Sequence, residues 1–270
     1  MDFQTGEILY IDKPYRWTSF DVVNKVRWLL CKRLGTKKLK VGHAGTLDPL
    51  ATGVMIVCTG RATKRIDELQ AHTKEYVASL RLGATTPSFD LEHPIDATFP
   101  TDHITREQVE DVLKTFLGRI EQIPPAYSAV KIDGKRAYDL ARKEKEVELK
   151  PKVLVIDEIE LLEYKRGIGT THTLPTLPRT DMRNKAFLTS PTVSVTDESY
   201  PSITIRVVCS KGTYIRALAR DIGQALDSGA HLTALRRTRV GNVGVEDCLT
   251  MDAFPDWLEQ QDIQDIPNDR

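Results

Sequence analysis

Within Gly42-His43-Ala44-Gly45-Thr46-Leu47-Asp48-Pro49-Leu50-Ala51-Thr52-Gly53, one carboxylate and one imidazole sit among three glycines, directly ahead of the apolar run Val54-Met55-Ile56-Val57-Cys58. A loop this rich in glycine can bring its backbone close to a ligand. Pro49 disfavours helical backbone at Asp48 and pushes it toward an extended conformation, so local sterics aim the carboxylate. A single aimed carboxylate can attack as a nucleophile or remove a proton, and residue types alone leave both roles open. The bland alternative is a structural glycine turn with an exposed acid. Residue types alone fit an active site here without identifying one.

Such a loop needs elements to hold it. Glu7–Asp12 reads as a strand, through Ile8, Leu9, Tyr10 and Ile11. Thr18 or Ser19 can cap a helix with Phe20, Val23, Val26, Leu30 and Leu34 as its inward face, ending at Gly35. Val54–Cys58 and Tyr76–Leu82 read as strands. Thr105 followed by Gln108 has capping-box spacing and opens a helix with Val109, Val112, Leu113, Phe116 and Leu117 inward and Gly118 at its end. Val153–Ile159 and Ile203–Cys209 read as strands, and Tyr214–Leu226 as a helix with Ile215, Leu218, Ile222 and Leu226 on one side. Strands and helices alternate without a regular β-α-β beat, which favours an α+β fold. Lys165–Ser202, with four prolines and eight threonines, reads as a long insertion loop.

The chain has 270 residues, enough to bury a substantial core. No apolar stretch approaches the ~20 residues of a membrane helix, and the amino terminus lacks a secretory pattern. Cys31, Cys58, Cys209 and Cys248 are widely spaced, with no C-x-x-C pair, which gives no support to a disulfide framework or zinc site. The formal net charge is zero, but it is unevenly spread. Lys25, Arg27, Lys32, Arg33, Lys37, Lys38 and Lys40 precede Leu47 with no acid among them, whereas Glu246–Asp269 holds eight acidic residues and no basic one. A basic body is cancelled in the sum by an acidic tail, so a phosphate-binding face is compatible with neutrality.

Further strings complete a pattern. Tyr10-Ile11-Asp12-Lys13-Pro14 is followed by Thr18-Ser19, and Lys74-Glu75-Tyr76 leads to Leu82-Gly83. Gln122-Ile123-Pro124-Pro125-Ala126-Tyr127-Ser128-Ala129-Val130-Lys131 precedes Gly134 and Arg136-Ala137-Tyr138. Ser210-Lys211-Gly212-Thr213-Tyr214-Ile215-Arg216 precedes Leu218 and Asp221, and Gly229-Ala230-His231-Leu232 runs to Leu235-Arg236-Arg237-Thr238. With the Gly42–Gly53 loop, these strings resemble, in order, the motifs of the TruB family of pseudouridine synthases, over roughly residues 7 to 241.

The resemblance implies a pseudouridine synthase fold: a large mixed, mostly antiparallel sheet flanked by helices and loops, with an RNA-binding thumb-like segment at Tyr127–Lys150. It implies a catalytic domain over 1–241 containing the insertion 165–202. Residues 242–270 are then a short acidic tail, too few for a full PUA-type domain and dispensable for catalysis. The implied reaction isomerises uridine to pseudouridine, usually at uridine 55 in the T-loop of transfer RNA. It rearranges one nucleoside without metal, nucleotide or redox cofactor. Asp48 carries the family's essential carboxylate, Arg216 is its guanidinium partner, and Tyr76 stacks on the extruded uracil and assists proton removal from C5. Tyr214 and Leu235 close around the base and His43 lies against RNA. The Lys13-Pro14 pair packs beside the catalytic loop, and Lys13, Lys64 and Lys131 are further RNA-binding candidates. The target base must first leave its stack, which costs a few kcal/mol. The expected partner is the transfer-RNA T-arm, met in the cytoplasm by a monomer with no membrane or metal involved.

Taken singly, Tyr76 and Tyr214 also read as core aromatics, Arg216 and Asp221 as a helix-surface ion pair, and Lys13 as a solvated side chain. Thr85-Thr86-Pro87-Ser88-Phe89-Asp90 has Pro87 where the family commonly has an acid, so that segment stays outside the expected site. Rival readings are a synthase of the same kind acting on another RNA, and a non-catalytic RNA-binding or RNA-folding protein. A phosphoryl-transfer enzyme would need a G-x-x-x-x-G-K-[ST] loop, which is not present.

Overall fold

The computed structural model describes residues 1–128, 131–132, 135–136, 149–167 and 199–263. The amino-terminal part comprises β1 (Ile8–Lys13), α1 (Ser19–Arg33), β2 (Val41–His43) and β3 (Ala51–Thr59). Next come α2 (Ile66–Gln70), β4 (Lys74–Leu82), β5 (Ala84–Thr85), β6 (Ala97–Thr98), α3 (Arg106–Thr115) and β7 (Gly118–Gln122). Two short strands follow, β8 (Lys131–Ile132) and β9 (Lys135–Arg136), and then β10 (Lys152–Lys165) and β11 (Ser202–Cys209). The chain continues through α4 (Ile215–Ala225), β12 (Ala230–Val240), β13 (Val243–Gly244), β14 (Leu249–Thr250) and α5 (Phe254–Glu259).

Among the described residues, ten strands join one sheet in the order β14-β1-β3-β12-β4-β11-β10-β7, with β2 added to β3 and β13 to β12. The β1–β14 and β3–β12 pairs are parallel and the others antiparallel. This is the mixed, mostly antiparallel sheet of an α+β fold.

Two hydrophobic patterns explain how the sheet is covered. The unbroken run in β3 is buried on both faces. Met55 and Val57 pack with Leu9, Ile11, Val26 and Phe254 under α1 and α5, while Val54, Ile56 and Cys58 pack with Leu69 and Val240 on the other side. In β4 the residues alternate, and Tyr76, Ala78, Leu80 and Leu82 face a core beneath α3 and α4. The parallel β3–β12 pair is what brings the amino-terminal loop beside the carboxy-terminal half of the chain.

Helix starts follow their capping chemistry. The Thr18 hydroxyl accepts from the Asp21 N–H, and the Asp21 carboxylate accepts from the Thr18 N–H at 2.8 Å. Thr105 and Gln108 make the same reciprocal pair. The inward face of α1 differs from expectation. It is Ser19, Val22, Val23, Val26 and Leu30, and Phe20, one residue round the helix from Ser19, is 63% exposed. Leu117 is likewise exposed because α3 ends at Thr115, and Gly118 (φ 84) opens β7. Strand β10 runs 14 residues, well past Ile159, because bulges near Asp157 and Leu162 shift its register and break the alternation a sequence reader looks for.

The acidic tail is built into the body. β14 pairs with β1, and Met251, Phe254 and Leu258 are buried against α1. Its apolar residues find a floor in a helix more than 200 positions earlier, which no local pattern reveals. Most of the expected insertion, residues 168–198, and most of the thumb-like segment lie outside the described residues. No helix among the described residues is long and apolar enough to cross a membrane.

Candidate active site

Asp48 sits on a loop whose backbone is held nearly residue by residue. The Ala44 N–H donates to the Ile56 carbonyl at 2.9 Å. The Gly45 and Thr46 carbonyls accept from the Arg237 guanidinium, whose Nε also donates to the Val54 carbonyl at 2.7 Å. The Ser19 hydroxyl accepts from the Leu47 N–H at 2.9 Å and donates to its carbonyl at 3.0 Å. The Pro49 carbonyl accepts from the Arg16 N–H and from Lys13 Nζ. Gly53 (φ 105) serves the strand beside it: a Cβ there would lie 2.1 Å from the Arg237 carbonyl oxygen. Its close approach is to β12, where the sequence suggested an approach to ligand.

On this fixed loop, the Asp48 carboxylate takes both hydrogen bonds of a side-on guanidinium. Arg216 Nε donates to Oδ2 at 2.9 Å and Nη2 to Oδ1 at 3.0 Å. The arginine, at the start of α4, has a side chain only 6% exposed, and that of Asp48 is 34% exposed. Arg216 also donates to the Tyr127 carbonyl at 2.9 Å and the Ser88 carbonyl at 3.3 Å, with the Asp90 carboxylate 3.7 Å from Nε. One guanidinium therefore ties together the catalytic loop, the Ser88–Asp90 turn and the start of the thumb-like segment. The fork geometry makes this possible, since a lysine ammonium could not span the same acceptors.

Asp48 and Arg216 line a cleft with Leu50, Ala51, Asp90, Leu91 and the Leu232–Leu235 stretch of β12. Its empty volume, open solvent included, is about 280 Å³. The walls are largely apolar and the ion pair supplies the charge, so a base could be desolvated next to a fixed carboxylate.

The cleft thus unites Asp48, Arg216 and Leu235. Tyr214 is half-buried at the foot of α4, its peptide clamped by the Gln122 side chain, and burial pushes its phenol up. Tyr76 lies deeper, 8% exposed, in the core that includes Leu47 and Ala51, and burial raises its phenol too. His43 pairs with Val57 in β2, and burial lowers its imidazole. Lys64 is exposed in the turn after β3, away from the cleft-lining residues. The Lys131 backbone forms β8, and its side chain lies outside what the structure describes.

Lys13 is not available to RNA. It is fully buried, and its ammonium donates to the carbonyls of Pro14 at 3.0 Å, Trp17 at 2.5 Å and Pro49 at 3.3 Å. Burial pushes it down to about 8, partly opposed by the Asp48 charge. It fastens the catalytic loop from behind. The sequence reading also passed over Asp90, whose carboxylate accepts from the Ser88 hydroxyl at 2.5 Å and the Glu92 N–H at 3.0 Å. The S-x-D spacing was visible, but Pro87 drew attention from it. Ser19 and Arg237 were named only as motif letters.

The chain matches the family models described as TruB family pseudouridylate synthase (N terminal domain), over residues 32–174, and tRNA pseudouridylate synthase B C-terminal domain, over residues 216–266. A protein of Phocaeicola vulgatus named tRNA pseudouridine synthase B is 62% identical over 269 residues, covering 100% of both chains. One of the same name from Mycobacterium sp. (strain KMS) is 42% identical over 252 residues, covering 93% of this chain and 72% of that one. Among solved structures, a chain from a Cbf5-Nop10-Gar1 complex is similar at TM-score 0.61 and 28% identity over 96% of this chain, which spans 56% of that chain's length.

Proposed function

This chain belongs to the TruB family of pseudouridylate synthases, and we propose that it isomerises uridine to pseudouridine in transfer RNA, at uridine 55 of the T-loop. One observation carries the reading: a carboxylate on a loop held by hydrogen bonds, gripped side-on by a buried arginine, opens into a cleft with largely apolar walls. The cytoplasm, with its transfer-RNA pool, is the matching compartment.

The residues divide the work as follows. The target uridine leaves its stack and enters between Leu235 and the Asp48 loop. Asp48 then meets the ribose, either bonding to C1′ or taking the 2′ proton, while the N-glycosidic bond breaks. The freed uracil turns within the cleft and C5 bonds to C1′ as the Asp48–C1′ bond breaks or the 2′ proton is returned. C5 then gives up its hydrogen as a proton, with Tyr76 assisting its removal, and N1 takes a proton from solvent. Both oxygens of Asp48 are spoken for by Arg216, so the carboxylate need not reorganise as charge develops on the sugar. Leu50, Ala51, Leu232 and Leu235 keep water from the separated fragments. Tyr214 packs against the base, Tyr76 supports it from beneath, and His43 and Lys64 contact RNA outside the cleft. Asp90 holds Arg216 in place through charge and through the Ser88 turn.

Tritium release from 5-tritiated uridine in unmodified T-arm transcripts tests this directly. The wild type is expected to release tritium from the T-loop and not from unrelated hairpins. Asp48→Asn should release none while binding the arm as well as the wild type does. Turnover in that variant would sink the assignment.

A further inference from the structure

We propose that the outward face of α1, with the Tyr15-Arg16 turn before it, is a second RNA-contact surface that holds a strand leaving the cleft, with an unpaired base on Trp28 and phosphates on the lysines around it. This rests on the RNA-substrate reading above and assigns a surface which that reading does not use.

Three large aromatics stand in solvent here: Phe20 at 63%, Trp28 at 55% and Tyr15 at 50%. Each has its apolar alternative closed, because the inward stripe of α1 is already filled by Val22, Val23, Val26 and Leu30. Exposed aromatics grouped on one element mark a contact surface more often than chance exposure does. The partner's chemistry follows from charge. Lys25, Lys32, Arg33, Lys37, Lys38 and Lys40 are all exposed, and none makes an ion pair with a carboxylate among the described residues. Lys25 and Lys32 hold their ammonium groups 4.9 Å and 5.5 Å from the Trp28 ring centroid. An exposed cation–π contact is weaker than base–aromatic stacking. A base can therefore displace the lysines from the ring while its phosphates receive them. A second copy of this chain would set like charge against like charge, so a polyanion is the favoured occupant.

The patch is continuous with the catalytic loop. The Arg16 N–H donates to the Pro49 carbonyl at 2.9 Å, its backbone held at φ 66, and its guanidinium lies 5.6 Å from the Tyr15 ring. Ser19, in the first turn of α1, is bonded to Leu47. From Phe20 to Trp28 the helix advances about 12 Å.

The test compares Trp28→Ala and the double variant Lys25→Gln/Lys32→Gln with the wild type, using full-length unmodified transfer-RNA transcript in filter binding from low to moderate salt. Thermal melts verify that these surface changes leave the fold intact. Trp28→Ala should weaken binding about tenfold, and the lysine pair should reduce the slope of log affinity against log salt by about 1.5. Turnover at saturating RNA should stay at the wild-type rate. Unchanged affinity and slope in both variants, with wild-type turnover normal, would overturn the proposal. Weakened binding alongside a wild type that makes no pseudouridine would uphold the contact and overturn the assignment of Asp48.

Discussion

Lys13 and Lys25 lie twelve residues apart on either side of the start of α1, yet one is sealed among three carbonyls and the other stands in solvent. The contrast extends to their neighbours. Arg216 and Arg237 are buried and spend their donors on the Asp48 loop and the strands beside it, whereas Lys32, Lys37 and Lys38 are exposed. Burying a cation without a compensating partner is costly. The fold accepts that cost where a glycine-containing loop would otherwise leave carbonyls unpaired. Basic residues thus do two jobs here: a buried set fixes the geometry of one carboxylate, and an exposed set provides charge that a polyanion can use.

The largest effect should come from removing the floor beneath both sets. Ending the chain at Gly244 deletes β14 and α5, and with them the buried side chains of Met251, Phe254 and Leu258. At about 1.5–3 kcal/mol for each fully buried side chain, the loss approaches the whole 5–15 kcal/mol stability of an ordinary domain. The truncated chain is expected to show no cooperative thermal transition in circular dichroism and no tritium release. A sharp melt near the wild-type temperature would mean that α1 does not depend on the tail, and the tail would revert to the dispensable extension its composition suggested.

Next in size is the arginine that only the buried set can supply. Arg216→Ala leaves Asp48 without its fork and the Ser88 and Tyr127 carbonyls without their shared donor. The single-turnover rate should fall by about 10²-fold or more, since small misplacements of a reacting group cost that much. Arg216→Lys should recover little of it, because an ammonium cannot hold two carboxylate oxygens and two carbonyls together. Rates equal to wild type would show that Asp48 is aimed by the loop alone.

Local chemistry was the legible part of this chain. A helix cap at Thr18 or Ser19, the capping box at Thr105, the solid apolar run of β3 and the alternation of β4 each depend on neighbours a few residues away, and the structure reproduces them, with Thr18 as the cap. The burial of α5 was not visible, because its partner is the inner face of α1. Long-range pairing was legible only through the motif strings. Nothing near Asp48 points to a guanidinium 168 residues later. The Lys13-Pro14 pair was legible as packing beside the Asp48 loop, but the burial of its ammonium was not, since a lysine before a proline looks the same whether its ammonium meets water or three carbonyls. Asp90 was lost for a related reason: its value lies in reaching Arg216, and the sequence around it shows only a turn.

Lys13 also offers the subtlest way to sharpen the contrast between sealed and solvated lysines. Its ammonium is pushed down to about 8 in the fold from an ordinary value of 10.5. Between those values the unfolded chain keeps a proton that the folded chain has released, so this group's contribution favours folding increasingly as pH rises. Lys13→Met removes the effect, and every other titrating group, including the buried thiols whose values are raised, is shared by both proteins and cancels in the difference. In urea unfolding, the stability of the wild type relative to Lys13→Met should therefore rise by about 2 kcal/mol between pH ~7.5 and ~9.5. A wild-type advantage over Lys13→Met that is flat across the same window would mean that this lysine is solvated in solution, and the clamp behind the catalytic loop would have to be sought in Ser19 and Arg237 alone.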